Sequence, residues 1–366
     1  MKAVITGGGT GGHIYPALAV AEELKKRGWK ILYLGSDYRM EADIVPKAGF
    51  DFKALPVRPL PRAISLKIFS SLIYNTKAFF KALKIIKDFK ADIIIGTGGF
   101  VAGPVVIAGA VLRKKTVIHE QNAYPGITNK LLARVVDKVC LNFPESADYL
   151  KLREDKIELT GNPVRPKILK VKREKAYKEL NLNPELKTIL ITGGSLGAEV
   201  INQNIIELYK YAVEKKIQII HLSGKKNYKQ LLDKLKENKL DPENPLLNIF
   251  DYLDEMEYAL AAADLIIARA GATGLAEITS SAKAAILIPF AAAAENHQLV
   301  NARSLQKNGA AVVIEESELD EDLLLTKVKG IIENQKKLNS MSAAAAQMSQ
   351  EDSLANIISV IEKLCI

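Results

Sequence analysis

Three glycine-rich segments, each directly after a short apolar run, constrain this chain more than any other feature of its sequence. The segments are GGGTGGH (residues 7–13), GTGGFVAGP (96–104) and GGSLGA (193–198). Glycine lets the backbone approach a phosphate closely, and a helix that follows offers unpaired N–H groups. One such loop can serve ordinary strand-to-helix packing, but three of them after strands favour phosphate or nucleotide binding. None matches GxxxxGK[ST], which argues against a P-loop nucleotidase.

The glycine segments belong to a strand–loop–helix pattern that runs twice along the chain. Helical periodicity follows the first segment at Ala17–Arg27 and the third at Glu199–Glu214. Such alternation predicts parallel strands with helices on both faces of each sheet. The predicted strands are the short apolar runs Lys2–Thr6, Lys30–Gly35, Asp92–Gly96, Thr116–His119, Thr188–Thr192, Ile217–Leu222, Ala263–Ala268 and Ala284–Pro289.

A chain of 366 residues is long enough for two cores, and the pattern breaks near Asn162–Arg165 before it restarts. We therefore expect an α/β protein with two Rossmann-like domains, residues 1–164 and 165–351. Ligands of such sheets bind at the carboxyl ends of the strands, so the two domains are expected to face each other across a cleft. The final helix, about 352–366, is expected to pack back on the first domain.

Charge and cysteine content narrow the class of protein further. Residues 1–165 hold 26 basic and 15 acidic side chains, whereas the remainder holds 25 and 27, so the first half is expected to meet an anionic partner. Cys140 and Cys365 lack metal-ligand spacing, which argues against a disulfide scaffold and a zinc site. The N-terminus has no signal-peptide pattern and no stretch is long enough to span a bilayer, so a cytoplasmic protein is expected.

A basic amphipathic stretch between Arg58 and Lys90 is a candidate membrane surface. Eight basic residues and one acidic residue lie in it, and apolar residues recur at helical spacing. Such a stripe usually packs against the protein's own sheet, but lysines along its edges also suit an anionic lipid leaflet. The residues proposed for membrane contact are Ile68, Leu72, Phe79 and Phe80, with Lys77 and Lys81 beside them.

Several short sequence motifs, in a fixed order along the chain, are more specific than the fold alone requires. They are GGTGGH (8–13), RMEA (39–42), HEQN (119–122), GNPVR (161–165), GGSLGA (193–198), RAGA (269–272) with Glu277, and ENHQ (295–298) with Asn301 and Ala302. Together they resemble the MurG family of UDP-N-acetylglucosamine–N-acetylmuramyl-(pentapeptide) pyrophosphoryl-undecaprenol N-acetylglucosamine transferases, over nearly the whole chain. The resemblance implies a GT-B glycosyltransferase fold. It also implies inverting transfer of N-acetylglucosamine from UDP-N-acetylglucosamine to lipid I, which forms lipid II for peptidoglycan.

The resemblance also assigns binding roles and partners. Thr10, Gly11 and Gly12 match the family's donor and acceptor loop, and Gly99 and Gly103 are expected at the acceptor diphosphate. The expected partners are UDP-N-acetylglucosamine, lipid I, the anionic cytoplasmic face of the cell membrane, and other cell-wall and division proteins, with no nucleic acid. The positions expected around the UDP-sugar are Asn122, Arg165, Ser195, Leu253, Ala272, Thr273, Gly274, Leu275, Ala276, Glu277 and Gln298.

The transfer needs a base for the acceptor hydroxyl and positive groups for the departing diphosphate. His13 is the first candidate base, because an unperturbed imidazole titrates near neutral pH, although it could instead cap a helix or bind the acceptor diphosphate. Glu120, beside His119, is the second candidate, with a structural hydrogen-bond network as its alternative. His221 is expected in the core and His297 in the donor loop. The acidic run 320–322, the one Asp-x-Asp pattern in the sequence, is typical of the start of a surface helix and not of a metal site. We therefore expect neither a protein-bound metal nor a cofactor.

The donor region departs from the family pattern. Gly274 stands where a hydroxyl or larger side chain is common, Lys283-Ala284 replaces Lys-Pro, and Ala291–Ala294 is an alanine run. Three alternatives stay open: a GT-B enzyme with another lipid acceptor such as diacylglycerol, a non-catalytic UDP-sugar-binding protein at the membrane surface, and, more weakly, an NAD-dependent oxidoreductase that uses Asp37 for the ribose.

Overall fold

A computed structural model describes residues 1–61, 67–194, 197–350 and 352–366. The chain divides into two compact units. Unit 1 comprises Met1–Pro163 and the C-terminal segment that ends at Ile366, and unit 2 comprises Val164–Gln350. In the described residues, no helix is long and apolar enough to cross a membrane.

Unit 1 is built on a seven-stranded sheet in which all neighbouring strands are parallel. Its strands are β1 (Lys2–Thr6), β2 (Lys30–Ser36), β3 (Asp51–Leu55), β4 (Ile93–Gly96), β5 (Lys115–Glu120), β6 (Lys138–Leu141) and β7 (Ile157–Leu159). They lie in the order β3-β2-β1-β4-β5-β6-β7. The central strands β1 and β4 are buried along almost their whole length, as expected for a parallel sheet with helices on both faces.

Among the described residues of unit 1, six α-helices precede the domain boundary. They are α1 (Gly11–Lys26), α2 (Glu41–Lys47), α3 (Lys67–Phe89), α4 (Ala102–Val111), α5 (Ile127–Leu132) and α6 (Ser146–Leu150). Helix α1 begins six residues earlier than its apolar periodicity predicts and contains Pro16. Glycine and proline have low helix propensity, so the sequence signal begins only at Ala17, but tertiary packing of the buried residues outweighs that preference.

Unit 2 is built on a six-stranded parallel sheet. Its strands are β8 (Thr188–Thr192), β9 (Gln218–Leu222), β10 (Leu247–Phe250), β11 (Leu265–Ala268), β12 (Ala284–Leu287) and β13 (Ala311–Val313). They lie in the order β10-β9-β8-β11-β12-β13, so both units have the strand reversal of a doubly wound sheet beside their first strand.

The described part of unit 2 contains ten α-helices. They are α7 (Pro166–Lys170), α8 (Arg173–Glu179), α9 (Glu199–Gln203), α10 (Ile206–Lys215), α11 (Tyr228–Glu237), α12 (Met256–Ala262), α13 (Ala272–Ser280), α14 (His297–Lys307), α15 (Glu321–Ile332) and α16 (Gln335–Met348). The single helix predicted at Glu199–Glu214 is wrong, since the chain breaks at Asn204 and Ile205 to form α9 and α10. The buried side chains of Ile201, Ile205 and Ile206 around this break all enter the core.

The last helix, α17 (Ser353–Cys365), packs against α1 of unit 1. Its buried residues Ile357, Ile358 and Ile361 join the core cluster that contains Val20 and Leu24. At the edge of this contact, the Arg27 guanidinium donates to both carboxylate oxygens of Glu362, at 3.2 and 3.1 Å.

Candidate active site

In unit 1 the first and second glycine segments meet at the carboxyl ends of β1 and β4, where the strand order reverses. Thr97 Oγ1 donates to the carbonyl oxygen of His13 at 2.7 Å, and the Gly8 N–H donates to the Gly98 oxygen at 3.4 Å. This is the position at which open α/β sheets bind their ligands. The two segments that the sequence singled out thus form one site.

Glycine is required where these two segments touch. A Cβ on Gly99, whose φ is +77°, would lie 2.2 Å from the Gly8 oxygen, and a Cβ on Gly7 would lie 1.9 Å from Thr97 Oγ1. Contacts this short do not occur between real atoms, so side chains at either position would separate the segments. The glycines therefore serve close backbone approach here.

His13 lies in the first turn of α1, with its imidazole against both segments. Its Nδ1 is 3.2 Å from the Gly8 carbonyl oxygen and 3.2 Å from Thr10 Oγ1. A carbonyl can only accept, so Nδ1 carries the proton and donates. In the neutral imidazole, Nε2 is then the basic nitrogen, which is what a general base requires.

Glu120 and His119, at the end of β5, are both buried in unit 1. The Glu120 carboxylate accepts N–H groups from the Asn122 and Gly126 backbones and from the Asn122 and Asn129 side chains, at 2.8 to 3.2 Å. Burial raises the pKa of Glu120, and these donors oppose the rise. Four donors on a buried carboxylate hold the loop that follows β5, which matches the structural alternative for this residue.

Burial lowers the pKa of His119 to about 4, so its imidazole is neutral at physiological pH. His119 Nε2 lies 2.8 Å from the Gly161 oxygen, and its Nδ1 lies 3.0 Å from Gln121 Nε2. These contacts join β5 to the GNPVR segment. His221 in unit 2 is likewise buried, as expected, and burial lowers its pKa to about 3.

The other residues expected in the acceptor half lie around the same loops. Thr10 and Gly12 are exposed, and Gly103 is in the first turn of the ten-residue helix α4. The first N–H of α4, that of Ala102, donates to the Gly99 oxygen at 3.2 Å, whereas the N–H of Gly103 has no acceptor within the helix. Asn122 is half-buried, with its amide nitrogen 3.2 Å from the Glu120 carboxylate. A ligand bearing a diphosphate could receive N–H donors from both helix starts.

Unit 2 contains a cavity of about 670 Å³ at the carboxyl ends of β8 and β11. Polar groups from four segments reach it, and they include Glu199, Arg269, Glu277, Gln298 and Glu316. Its remaining lining residues include the glycines of the third segment, Gly271 and Gly274 at the start of α13, and the apolar side chains of Met256, Leu260, Ile278 and Phe290. The volume and the glycine lining suit a nucleotide-sized ligand.

Gln298, in the first turn of α14, fixes the edge of this cavity. Its Oε1 accepts from the backbone N–H of Phe290 at 3.0 Å and of Ala270 at 3.2 Å. Because both acceptor positions of the oxygen are used, the amide group can offer a ligand in the cavity its N–H donors. A sugar hydroxyl is a suitable acceptor for them.

Glu277 also lines the cavity and is paired with Arg165. Arg165 Nε and one of its terminal nitrogens both lie 3.2 Å from Glu277 Oε1. Burial raises the pKa of Glu277, and the charge and hydrogen bonds of Arg165 oppose that rise. The pair places a cation and a hydrogen-bond acceptor side by side at the cavity.

Sequence reasoning missed an ion pair between Arg269 and Glu316, both mostly buried beside the cavity. Arg269 also donates to the Ile288 oxygen at 3.0 Å, and Glu316 accepts from the Ala291 N–H at 2.8 Å. The pair therefore ties the alanine run to the sheet. Arg269 stands in the RAGA string, but its partner comes from beyond β13, and no local spacing indicates that contact.

The remaining positions expected around the UDP-sugar do not all line the cavity. Ser195 lies outside the described residues. Leu253 is half-buried between β10 and α12 and does not line the cavity. Within α13, Gly274 and Glu277 face the cavity, whereas Leu275 and Ala276 are buried, because residues three apart share one face of a helix. Ala272 and Thr273 form the first turn, whose N–H groups have no acceptor within the helix.

The predicted membrane stripe on α3 is divided between two faces. Ala78, Ala82, Ile85 and Ile86 pack into the core, whereas Phe80 is 63% exposed and Leu72 is 48% exposed. Ile68 and Phe79 are half-buried, and Lys77 and Lys81 are exposed. Helices α4 and α5 add more exposed apolar side chains to unit 1, namely Ile107, Val111, Ile127 and Leu131. Part of the apolar stripe of α3 is thus exposed, whereas a helix that packs its whole stripe against its own sheet would bury it.

No group of three or more histidine, cysteine, aspartate or glutamate side chains suited to a metal ion occurs in the part of the chain that the structure describes. Asp37, the residue considered for an NAD ribose, instead pairs with Arg58, with a terminal nitrogen 2.7 Å from its Oδ1.

Two family models match this chain. The glycosyltransferase family 28 N-terminal domain matches residues 3–141, and the glycosyltransferase family 28 C-terminal domain matches residues 188–357. Together they cover most of both units.

Full-length relatives are also similar. UDP-N-acetylglucosamine–N-acetylmuramyl-(pentapeptide) pyrophosphoryl-undecaprenol N-acetylglucosamine transferase of Halothermothrix orenii is 50% identical over 99% of this chain and 98% of its own length. The protein of the same name from Desulforamulus reducens is 44% identical over 100% and 99%. Among solved structures, MurG of Acinetobacter baumannii aligns with a TM-score of 0.81 and 29% identity, covering 99% of each chain.

Proposed function

This chain belongs to glycosyltransferase family 28 and has the GT-B fold, and from that premise we propose that it transfers N-acetylglucosamine from UDP-N-acetylglucosamine to undecaprenyl-diphospho-MurNAc-pentapeptide, forming lipid II. The family and fold class expected from the sequence strings are confirmed. The observation that carries the proposal is the 50% identity to a transferase of that name along the full chain.

The cavity of unit 2 is proposed to hold the donor. The glycine segment after β8 and the first turn of α13 offer N–H groups to the diphosphate. Gln298 directs its amide donors to the sugar, and Glu277 accepts from ribose hydroxyls, with Arg165 beside it to offset the charge of the departing UDP.

In unit 1, His13 is proposed to take the proton from the acceptor hydroxyl. As the oxygen–C1 bond forms and the bond from C1 to the UDP oxygen breaks, the proton passes to Nε2 and UDP leaves with the bonding electrons. Attack opposite the leaving group inverts the anomeric centre (by analogy with inverting glycoside hydrolysis). Glu120 serves this step by holding the Asn122 loop, through its four hydrogen bonds.

The transfer is proposed to need no metal bound by the protein. In the proposed arrangement, Arg165 and the helix N–H groups are the groups that offset the charge of the leaving diphosphate. Removal of divalent cations with EDTA should therefore leave the rate within about twofold. A loss of activity that Mg²⁺ restores would contradict this proposal.

We propose that the protein acts at the cytoplasmic face of the cell membrane. The exposed apolar residues of α3 with the lysines beside them suit an anionic leaflet, in which each basic residue contributes on the order of 1 kcal/mol. An acceptor with an undecaprenyl chain requires such an approach, since its lipid stays in the bilayer.

The decisive experiment measures UDP release from UDP-N-acetylglucosamine with and without a short-chain analogue of lipid I. Release that depends on the acceptor, and that falls at least a hundredfold in His13→Ala, is expected. Release with a diacylglycerol acceptor alone would indicate a different lipid substrate. UDP-sugar binding without turnover on either acceptor would indicate a binding protein, and both outcomes overturn the proposal.

A further inference from the structure

Glu41, the first residue of α2, is fully buried although no lysine or arginine side chain that the structure describes pairs with it. Its Oε1 accepts the backbone N–H of Ser36 at 3.2 Å and the Ser36 hydroxyl at 2.7 Å. Its Oε2 accepts the N–H of Gly9 at 3.1 Å. Burying a carboxylate costs the free energy of its hydration, which hydrogen bonds must offset when no cation pairs with it.

The contact to Gly9 leads directly to His13. The N–H of Gly9 and the carbonyl of Gly8 belong to the same planar peptide group. Glu41 binds the N–H end of that group, and His13 Nδ1 binds the carbonyl end, at 3.2 Å. A carboxylate, one peptide group and an imidazole therefore form a continuous hydrogen-bonded line.

The hydrogen-bonded line has room because the surrounding positions are glycines without side chains. A Cβ on Gly8 would lie 2.4 Å from Glu41 Oε1, and a Cβ on Gly99 would lie 2.2 Å from the Gly8 oxygen and 3.3 Å from His13 Nδ1. Gly9 has a φ of +86°, which a residue with a side chain rarely adopts. Glycine at these three positions keeps the peptide group in contact with both partners.

We propose that Glu41 is a positioning residue that acts on His13 through the Gly8–Gly9 peptide group. The negative charge at the N–H end polarises the peptide and makes its carbonyl oxygen a stronger acceptor. That oxygen fixes the proton on Nδ1, leaves Nε2 as the base and stabilises the imidazolium that forms when Nε2 takes a proton. A carboxylate that contacts a catalytic histidine directly acts in the same way.

Other titratable groups near His13 are compatible with this role. His119 on β5 is neutral because burial lowers its pKa to about 4, and the charge of Glu120 is held by four N–H donors. On α1 itself, Tyr15 is exposed beside Gly11. Glu41 is therefore the carboxylate that reaches the imidazole through a single peptide group.

The inference rests on the proposed function, in which His13 is the base, so its test needs a readout that does not depend on turnover. The chain has only four histidines, and ¹⁵N NMR distinguishes the two neutral tautomers of each imidazole. In the unmodified protein, His13 is expected as the Nδ1–H tautomer. In Glu41→Gln, which offers one oxygen in place of two, the His13 titration midpoint is expected to fall by roughly half a unit to one unit.

Kinetics give the second readout. For Glu41→Gln we expect kcat to fall about tenfold at neutral pH, the lower pH midpoint of kcat/KM to shift down with the NMR midpoint, and KM for UDP-N-acetylglucosamine to stay unchanged. In a His13→Ala background the same substitution should cost less than about twofold, because residues that act as a unit are not additive.

Ser36→Ala is the matched control, since it removes the hydroxyl that donates to Glu41 and leaves the contacts from the backbone N–H groups of residue 36 and Gly9. It should lower thermal stability but keep the His13 tautomer and midpoint. If Glu41→Gln does not fold, Glu41→Asp keeps the charge one methylene farther from Gly9 and should give a smaller shift in the same direction.

An unchanged His13 tautomer and midpoint in Glu41→Gln would overturn the inference, even if activity falls. A shifted midpoint in a protein that shows no acceptor-dependent turnover, or whose His13→Ala variant is fully active, would instead contradict the proposed function and leave the link between Glu41 and His13 established.

Discussion

Arg165 and Glu277 form an ion pair in unit 2, in which two guanidinium nitrogens each lie 3.2 Å from the same carboxylate oxygen. The glutamate is mostly buried and the arginine is half exposed. Burial raises the pKa of Glu277, and Arg165 opposes the rise. The charge on this carboxylate, and with it the strength of the ion pair at the cavity, therefore depends on pH.

Arg165→Ala should therefore destabilise the protein more at high pH than at low pH. Glu277 has a raised pKa in the folded state, so it takes up a proton on folding, and its effect on stability becomes less favourable as pH rises through that pKa. Without Arg165 the ionised carboxylate loses its counter-charge. Thermal unfolding at pH 5 and pH 8 should show a larger Tm difference from the unmodified protein at pH 8.

The matched comparison for Arg165→Ala is the same substitution in a Glu277→Gln background. There the extra loss at pH 8 should disappear, because no carboxylate remains to ionise. If the loss at pH 8 persists in the double variant, Arg165 stabilises the fold through other contacts.

Gly274→Ala should stabilise unit 2 by roughly 0.5 to 1 kcal/mol, because glycine in a helix costs about that much relative to alanine. An added Cβ meets no atom within 4 Å at Gly274 or at Gly330, a glycine of α15 outside the cavity. Both alanine variants should raise Tm, by about 2 to 4 °C per kcal/mol.

Only Gly274→Ala should also change donor binding, since Gly274 lines the cavity and Gly330 does not. One buried methyl contributes about 0.8 kcal/mol, so KM for UDP-N-acetylglucosamine should fall by up to about fourfold. An unchanged KM, or an equal change in Gly330→Ala, would be inconsistent with donor binding in this cavity.

Much of the fold could be predicted because strands of parallel sheets are buried on both faces. The bounds of β1 and β8 match their apolar runs, since each run is followed directly by glycine. The start of α1 could not be predicted, because packing of Ile14, Ala17 and Leu18 outweighs the low propensity of the glycines before them.

The site was predictable as a set of loops and not as a set of contacts. Periodicity and glycine spacing indicate which residues end a strand, but they carry no information on partners far along the chain. Glu41 reaches Gly9 across 32 residues, and Glu316 reaches Ala291 across 25. Only the assembled sheet brings these residues together.

Acid should destabilise unit 1 through His119. Burial lowers the pKa of His119 to about 4, against 6.5 in the unfolded chain, so the unfolded state binds more protons and stability is lost as pH falls from about 6.5 through 4. The loss is on the order of a few kcal/mol. His119→Asn should flatten the dependence of Tm on pH in this window. An unchanged slope would show that His119 does not govern acid unfolding.

Phe80→Glu should weaken binding to anionic vesicles at least tenfold, measured by sedimentation with vesicles of one-third anionic phospholipid. The substitution removes an exposed aromatic side chain worth about 2 kcal/mol on burial in lipid, and adds a charge repelled by the leaflet. Leu169→Glu is the control, because Leu169 is 55% exposed but lies on α7 of unit 2. UDP-N-acetylglucosamine binding should be unchanged in both variants. Equal vesicle binding by Phe80→Glu and the unmodified protein would show that α3 does not contact the membrane.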